Sequence, residues 1–159
     1  MSLAYIAQAA DHQQLEWIGG HTLEILLDGK STGGQVTVVR SHLAEGSDSP
    51  LHLHRNEDEM FVLLRGEGLF WVGDERHEVG EGGSVFLPRN IPHAYRFTSP
   101  EVDLLTICTP SGMEDFFRAA GRDLRGPRPE GWEITIPALV EAAKRGGQEI
   151  LGPPPAMDA

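Results

Sequence analysis

The sequence contains one cysteine, Cys108, in 159 residues, so it cannot form a disulfide within the chain. Basic residues are also few: 13 lysines and arginines oppose 24 acids, and the net charge of −11 repels nucleic acid and anionic membrane surfaces. No apolar run approaches the roughly 18 residues of a membrane span, and the N-terminal residues lack the basic and apolar segments of a secretory signal. These absences predict a cytoplasmic protein that binds neither nucleic acid nor membranes.

A length of 159 residues favours one domain with a substantial core. Short apolar runs divided by glycine, proline and acidic turns fill residues 21–109, among them "HTLEILL", "EMFVLLRG" and "VDLLTIC". Runs of this length with frequent turns are typical of strands in an antiparallel sandwich or barrel. We therefore predict an all-β fold, with an arm at residues 1–33 that contributes strands and a barrel at residues 34–109.

Two later segments have helical patterns. The first is "SGMEDFFRAAG", where Ser111 and Glu114 have the spacing of a capping box, and the second is "TIPALVEAAKRGG", where Pro137 suits a first helical turn. The final "LGPPPAMDA" cannot be helical through its prolines, so we expect it to be extended or disordered. This predicts a helical extension at residues 110–148 and a proline-rich tail at residues 149–159.

Candidate metal ligands are found in the stretch "PLHLHRNEDEM". His52 and His54 are two residues apart, so on a strand their side chains share one face. Glu59 begins a run that is apolar on both faces, which directs its carboxylate into the interior. A buried carboxylate needs a partner, such as a metal ion or a cluster of histidines. A third histidine, His93, is present in "PRNIPHAYRF".

Three neutral imidazoles and one carboxylate suit a divalent transition ion and leave positions for water or substrate. The ligand set does not choose among iron, nickel, manganese, copper and zinc. We predict one such ion, held by His52, His54, Glu59 and His93. The alternative is a hydrogen-bonded polar cluster or a solvent loop without metal.

Four other side chains are candidates for the lining of a substrate pocket. Phe61 shares a strand face with Glu59, and Tyr95 shares one with His93, although ordinary barrel packing also explains both aromatic residues. Arg40 and His42 alternate on one face of "VVRSHL", which faces either the pocket or solvent. The single cysteine, in the apolar run "LLTICTP", is interpreted as a core residue.

These residues resemble the cupin superfamily over about residues 34–109. Two motifs carry the resemblance, the first formed by Gly46, His52, His54, Glu59 and Gly66, and the second by Gly82, Pro88 and His93. The second motif departs from the family at two places, since Asn90 replaces a usual glycine and Phe97 replaces a frequent asparagine. Asparagine tolerates a left-handed turn, so we expect the turn to be retained.

The resemblance implies a double-stranded β-helix, the jelly-roll barrel of cupins. The segments around "NEDEMFVLLRGEG" and "TPSGMEDFFRAAG" look like single-domain bacterial cupins related to quercetin 2,3-dioxygenase. That likeness implies a flavonol-like or enol-type substrate, possible use of dioxygen, and Glu59 as both ligand and base. Proton sharing at Glu59 requires apolar walls to raise its pKa. Because cupins often pair through the outer face of the barrel, we also expect a homodimer.

Another class of cupin fits the same ligands. A metal cupin without oxygen chemistry, such as an isomerase or a polyketide-type cyclase, or a cupin that only binds a small molecule, retains all four. The pocket lining distinguishes them, because an aromatic cavity suits flat ligands and converging arginines suit carboxylates. The arginines in question are Arg40, Arg89 and Arg96.

Overall fold

The computed structural model describes residues 3–159, and Met1 and Ser2 of the predicted arm lie outside the described residues. The described strands are β1 (Gln13–Glu16), β2 (Thr22–Leu27), β3 (Thr37–Ala44), β4 (Leu51–His54), β5 (Asp58–Arg65), β6 (Gly68–Val72), β7 (Glu75–Val79), β8 (Ser84–Leu87), β9 (His93–Phe97), β10 (Glu101–Thr109), β11 (Arg122–Asp123) and β12 (Gln148–Gly152). The α-helices are α1 (Gly29–Thr32), α2 (Met113–Ala120) and α3 (Ile136–Arg145). Across residues 3–159, no helix is both long enough and apolar enough to cross a membrane.

The strands form two antiparallel sheets. The large sheet has the order β11-β1-β2-β3-β10-β5-β8, and the small sheet has the order β12-β4-β9-β6-β7. Neighbours in the sheets are mostly distant in the chain, because β10 pairs with both β3 and β5 while β4 pairs with β9. Two antiparallel sheets with few short helices confirm the predicted all-β cupin sandwich.

The space between the sheets is filled by alternate residues of the strands. Phe61 and Leu63 of the large sheet pack with Phe70 and Phe97 of the small sheet in one buried cluster. Alternation places one side of each strand in this layer. Fully burying one such aromatic side chain contributes roughly 1.5–3 kcal/mol of stabilisation.

Helix α2 covers a second cluster at the other end of the large sheet. Its Met113 and Phe117 pack with Leu15, Leu23 and Val39. The helix closes the inner face of β1, β2 and β3, beyond the reach of the small sheet. The predicted helical extension is therefore part of the core.

Two turn residues adopt the left-handed conformation for identifiable reasons. Gly66 has a φ of +95°, and a Cβ atom there would lie 2.6 Å from the backbone oxygen of Glu101. Asn90 has a φ of 67°, so the left-handed turn expected at this position is confirmed. An amide side chain can occupy this conformation at low cost.

Of the two predicted helix starts, one has the expected capping residue and the other does not. Helix α3 begins at Ile136, after Thr135 accepts a hydrogen bond from the N–H of Ala138, which confirms the predicted helix. Helix α2 begins after Gly112 without a side-chain cap, so the capping box expected of Ser111 is wrong. The Glu114 carboxylate instead accepts hydrogen bonds from the N–H groups of Gly29 and Gly112.

The C-terminal residues are ordered against the small sheet. Strand β12 pairs with β4, which places Gln148 opposite His54 and Ile150 opposite His52. Farther along, the indole N–H of Trp71 donates to the oxygen of Ala159 over 2.9 Å. The prolines of the tail prevent a helix, as expected. Strand β12 begins before them and pairs with the backbone groups at the edge of β4.

Candidate metal centre

The four predicted ligands converge between the two sheets. His52 and His54 lie on β4, His93 begins β9 directly opposite His52, and Glu59 lies on β5 of the other sheet. Their exposed fractions are only 7%, 2%, 1% and 3%, in that order. One ligand atom of each residue lies within 4.8 Å of the corresponding atom of the others. The fold therefore brings all four side chains to one buried point.

Hydrogen bonds fix the orientation of each imidazole. The Nδ1 atoms of His52, His54 and His93 lie 2.8 Å, 2.8 Å and 3.1 Å from the Pro50 carbonyl oxygen, the Glu57 Oε1 atom and the Ile91 carbonyl oxygen, respectively. Carbonyl and carboxylate oxygens accept hydrogen bonds, so each Nδ1 carries the proton. Each Nε2 then keeps a free lone pair, as histidine ligands of metal ions do.

Two of the imidazole Nε2 atoms have no hydrogen-bond partner among the described residues. Those of His54 and His93 are buried and unpaired, and they lie 3.5 Å and 3.3 Å from Oε1 of Glu59. Leaving such groups unpaired costs free energy. A divalent transition ion would satisfy all of them, so the donor set fits the predicted metal.

The charges around this point favour metal binding. Burial, helped by the neighbouring His93, lowers the pKa of His52 to about 4, so its lone pair is free at neutral pH. Burial opposes ionisation of Glu59, yet His54 and His93 outweigh it and lower the pKa of this carboxyl to about 2. Burial likewise opposes protonation of His54, but Glu59 and Glu57 raise its pKa overall.

The direction of the Glu59 shift bears on its expected role as a base. That role requires apolar walls to raise the pKa, whereas the histidines lower it. Glu59 is therefore an ionised carboxylate, suited to bind a cation or to accept a hydrogen bond.

Two of the four candidate lining residues lie in the interior. The rings of Phe61 and Tyr95 are 5.6 Å apart and meet edge to face. Burial, reinforced by the charge of Glu59, raises the pKa of Tyr95, so its phenol remains neutral. Phe70 lies 5.7 Å from Phe61, and these rings form an aromatic wall next to the centre.

Arg40 and His42 lie on the other side of the large sheet. The residue between them, Ser41, faces Leu104 of β10, which faces Leu63 of the core. Because neighbours along a strand point to opposite faces, Arg40 and His42 point away from the interior. The pocket interpretation of both is corrected.

All three arginines named for the carboxylate alternative pair with aspartates. Arg40 donates to Asp103 over 2.9 Å, Arg89 to Asp58 over 3.1 Å, and Arg96 to Asp48 over 3.0 Å. Their guanidinium groups are thus already neutralised. They do not form a converging set at the histidines.

Two contacts of the centre were missed from the sequence. Glu57, which is 3% exposed, was one of several acids in a polar stretch, and only its position three residues after His54 hints at contact. Cys108 is buried in the core, as predicted, and in addition its Sγ atom lies 3.8 Å from Oε2 of Glu59. No local sequence signal reveals that contact, since 49 residues separate the two.

Residues 39–110 match the family model described as Cupin domain. This match covers the strands that carry all four ligands, and the two sheets have the arrangement typical of that fold. Residues 39–110 therefore correspond to a cupin domain, and the buried histidines and glutamate form a candidate metal site within that stretch.

More specific similarities are distant. The chain is 26% identical over 125 residues to a quercetin 2,3-dioxygenase of Bacillus subtilis, an alignment that covers 79% of this chain and 37% of that enzyme. The structure of KdgF from Halomonas sp. superposes with a TM-score of 0.62 at 13% identity, over 70% of this chain and 98% of that one. A variant of Bacillus subtilis oxalate decarboxylase gives 0.58 at 18% identity, over 70% and 31%.

The structural likenesses establish the fold, and the sequence likeness extends over most of the chain. The chain spans about a third to a half of the length of the curated relatives that it matches.

Proposed function

We propose that this protein is a metal-dependent dioxygenase that acts on a flavonol-like or enol-type small molecule. The observation that carries the proposal is the convergence of three imidazoles and the Glu59 carboxylate on one buried point, where one ligand atom of each lies within 4.8 Å of the others. The distant similarity to a quercetin 2,3-dioxygenase supports the reaction class.

Each part of the centre has a task in this proposal. A bound iron, nickel, manganese, copper or zinc ion supplies Lewis acidity and, when redox-active, an electron path between substrate and dioxygen. His52, His54 and His93 hold that ion with neutral nitrogen ligands. The ionised Glu59 offsets its charge and accepts a hydrogen bond from a substrate hydroxyl group. Since the pKa of Glu59 is lowered to about 2, a hydrogen bond is favoured over full transfer of the proton.

The aromatic wall supports a flat, largely apolar substrate. Phe61, Phe70 and Tyr95 pack against one another in the layer between the sheets, so a substrate at the ligands would meet an aromatic surrounding. These side chains also exclude water. The paired arginines do not offer a free cationic clamp for a carboxylate substrate.

The test combines metal content with oxygen uptake. Protein purified without chelators or a metal-affinity column is expected to contain about one transition ion per site. A double variant, His52→Ala with His93→Ala, is expected to lose the ion, and His77→Ala is the matched control because His77 is exposed and pairs only with Glu75. The loaded parent should then consume oxygen with a flavonol.

The outcome also separates the alternative functions. A loaded parent that binds flavonols or other enols without consuming oxygen would contradict the dioxygenase proposal and favour an isomerase, a cyclase or a binding protein. A parent that binds no ion after reconstitution would overturn the metal-dependent reading altogether.

We also propose that two copies of the chain pair through the outer face of the large sheet. Phe86 is 58% exposed and lies opposite Met60, which itself lies opposite Ile107 on that face. An apolar patch of this kind indicates an interaction surface.

The charges around the patch favour a second copy as the partner. Arg40 with Asp103 and Arg65 with Glu101 form ion pairs of 2.9 Å on the same sheet. A border of the patch that carries both positive and negative charges is complementary to itself. When two copies meet across a two-fold axis, opposite charges can lie in contact.

A further inference from the structure

We infer that Cys108 is a positioning residue for Glu59, whose carboxylate it orients by donating a hydrogen bond from its thiol to Oε2. This inference rests on the proposed metal centre and adds a residue to it. Oε1 is then the oxygen that faces the imidazoles, and it is the atom that would contact a bound ion.

The two oxygens of Glu59 have different surroundings. Oε1 lies 3.5 Å from Nε2 of His54 and 3.3 Å from Nε2 of His93. Oε2 lies 3.8 Å from Sγ of Cys108, a distance at which a thiol donates a weak hydrogen bond. The carboxylate is therefore turned, with one oxygen toward the ligand nitrogens and the other toward sulfur.

The backbone fixes this contact. Cys108 of β10 and Glu59 of β5 are directly opposite each other in antiparallel register, so their side chains leave the sheet on the same face. The position is set by two long, central strands and not by a flexible loop. A carboxylate ligand can be held rigidly from such a site.

The surroundings of Cys108 make it a donor and not another ligand. It is fully buried beside Val39, Met113 and Phe117, and the group of candidate ligand atoms in the described residues does not include its sulfur. A cysteine buried among apolar side chains remains a protonated thiol, so it can donate to Oε2. Apolar neighbours on the far side leave the thiol as the donor in contact with Oε2.

A hydrogen bond to a metal ligand changes the affinity of the site for the metal. Groups that hydrogen-bond a ligand orient it and usually change metal affinity by about 10- to 100-fold when removed. Without the thiol, no donor would hold Oε2 away from the imidazoles, and the carboxylate could present both of its oxygens to a bound ion. The coordination geometry should then change along with the affinity.

The test compares Cys108→Val with Cys108→Ser in metal-free protein titrated with Co²⁺ alone. Valine retains the apolar packing without a donor, whereas serine retains a donor at some cost to packing. We expect Cys108→Val to raise the Kd of Co²⁺ by roughly tenfold or more and Cys108→Ser to remain within about threefold of the parent. The visible absorption of the Co²⁺ protein should change in the valine variant and persist in the serine variant.

A packing role predicts the opposite order, with valine equal to the parent and serine impaired. That order, or two variants that bind Co²⁺ with the affinity and spectrum of the parent, would overturn the inference. Cys108→Ala is a second donor-free variant, to be used if circular dichroism shows that Cys108→Val does not fold. A parent that fails to bind Co²⁺ would also overturn it, whereas a loaded parent that consumes no oxygen contradicts only the proposed dioxygenase activity.

Discussion

The Nδ1 atom of His54 lies 2.8 Å from Oε1 of Glu57, and both side chains are almost completely buried. Glu57 therefore holds the ring so that Nε2 faces the centre, and its charge makes that nitrogen a better ligand. The partners of His52 and His93 are backbone carbonyl oxygens of Pro50 and Ile91. Among the three histidines, His54 is thus the one whose supporting contact can be removed by substitution.

Glu57→Gln should weaken metal binding by roughly 10- to 100-fold. Glutamine can still accept a hydrogen bond from His54, but it removes the charge that raises the pKa of this histidine together with Glu59. Isothermal titration of the metal-free protein with Zn²⁺ measures the change. Glu75→Gln is the control, because Glu75 makes a similar contact of 3.1 Å with His77 on the exposed surface. Equal affinities in the two variants would contradict a role for the buried carboxylate.

The metal-free protein should lose stability as the pH falls from about 6.5 toward 4. The pKa of His52 is lowered from 6.5 to about 4 in the folded chain, so in this range the unfolded chain binds a proton that the folded chain excludes. The free energy of unfolding should fall by up to about 1.4 kcal/mol per pH unit. Above pH 6.5, the pKa of histidine in the unfolded chain, His52 no longer lowers the free energy of unfolding.

Other groups of the centre act outside this window. The pKa of His54 is raised, so its stabilising effect is complete below 6.5 and is lost at higher pH. The pKa of Glu59 is lowered from 4.5 to about 2, so its effect is lost only below 4.5. Urea unfolding between pH 7.5 and 4.5 measures the slope, and His52→Asn should flatten it. A slope that persists in this variant would show that another group is responsible.

The sequence predicts three of the four converging side chains from two independent signals. His52 and His54 have the spacing of one strand face, and Glu59 begins a run that is apolar on both faces, which forces its carboxylate inward. Fold class follows from the same regular strands and turns. Asn90 was correctly expected to keep a left-handed turn, because the conformational preference of asparagine is local.

Features that depend on contacts between distant strands were not predictable. Alternation along the strand shows that Arg40 and His42 share a face, but it does not show which face is the interior. The inner face carries the polar Ser41, so polarity does not distinguish the two faces there. The contact of Cys108 with Glu59 depends on the register of β5 and β10. Strand β12 was missed because its pairing with β4 is specified by tertiary structure, while the prolines after it exclude only a helix.

Glu114→Gln should destabilise the protein by about 2–4 kcal/mol. Its carboxylate accepts hydrogen bonds of 2.8 Å from the N–H groups of Gly29 and Gly112, and another from the hydroxyl group of Thr37. A glutamine amide would direct its own N–H groups toward some of these donors and leave them unsatisfied. Urea unfolding at pH 7 measures the difference.

Asp115→Asn provides the matched control for this substitution. Asp115 is the next residue of the same first helical turn, but its side chain is exposed. Its loss of charge should cost less than about 1 kcal/mol through the helix dipole. Similar losses in both variants would indicate that the buried hydrogen bonds of Glu114 add little.

Phe86→Asp should separate the proposed dimer into single chains. Phe86 lies on β8, the edge strand of the large sheet, and its ring is exposed, so a charge there costs an isolated chain little but is buried when two apolar patches meet. Light scattering should give twice the chain mass of 17.4 kDa for the parent and the single mass for the variant. Val140→Asp on α3 is the control, since Val140 is also an exposed apolar residue but lies away from this face. A parent that scatters as a single chain, or a control that dissociates equally, would contradict pairing through the outer face of the large sheet.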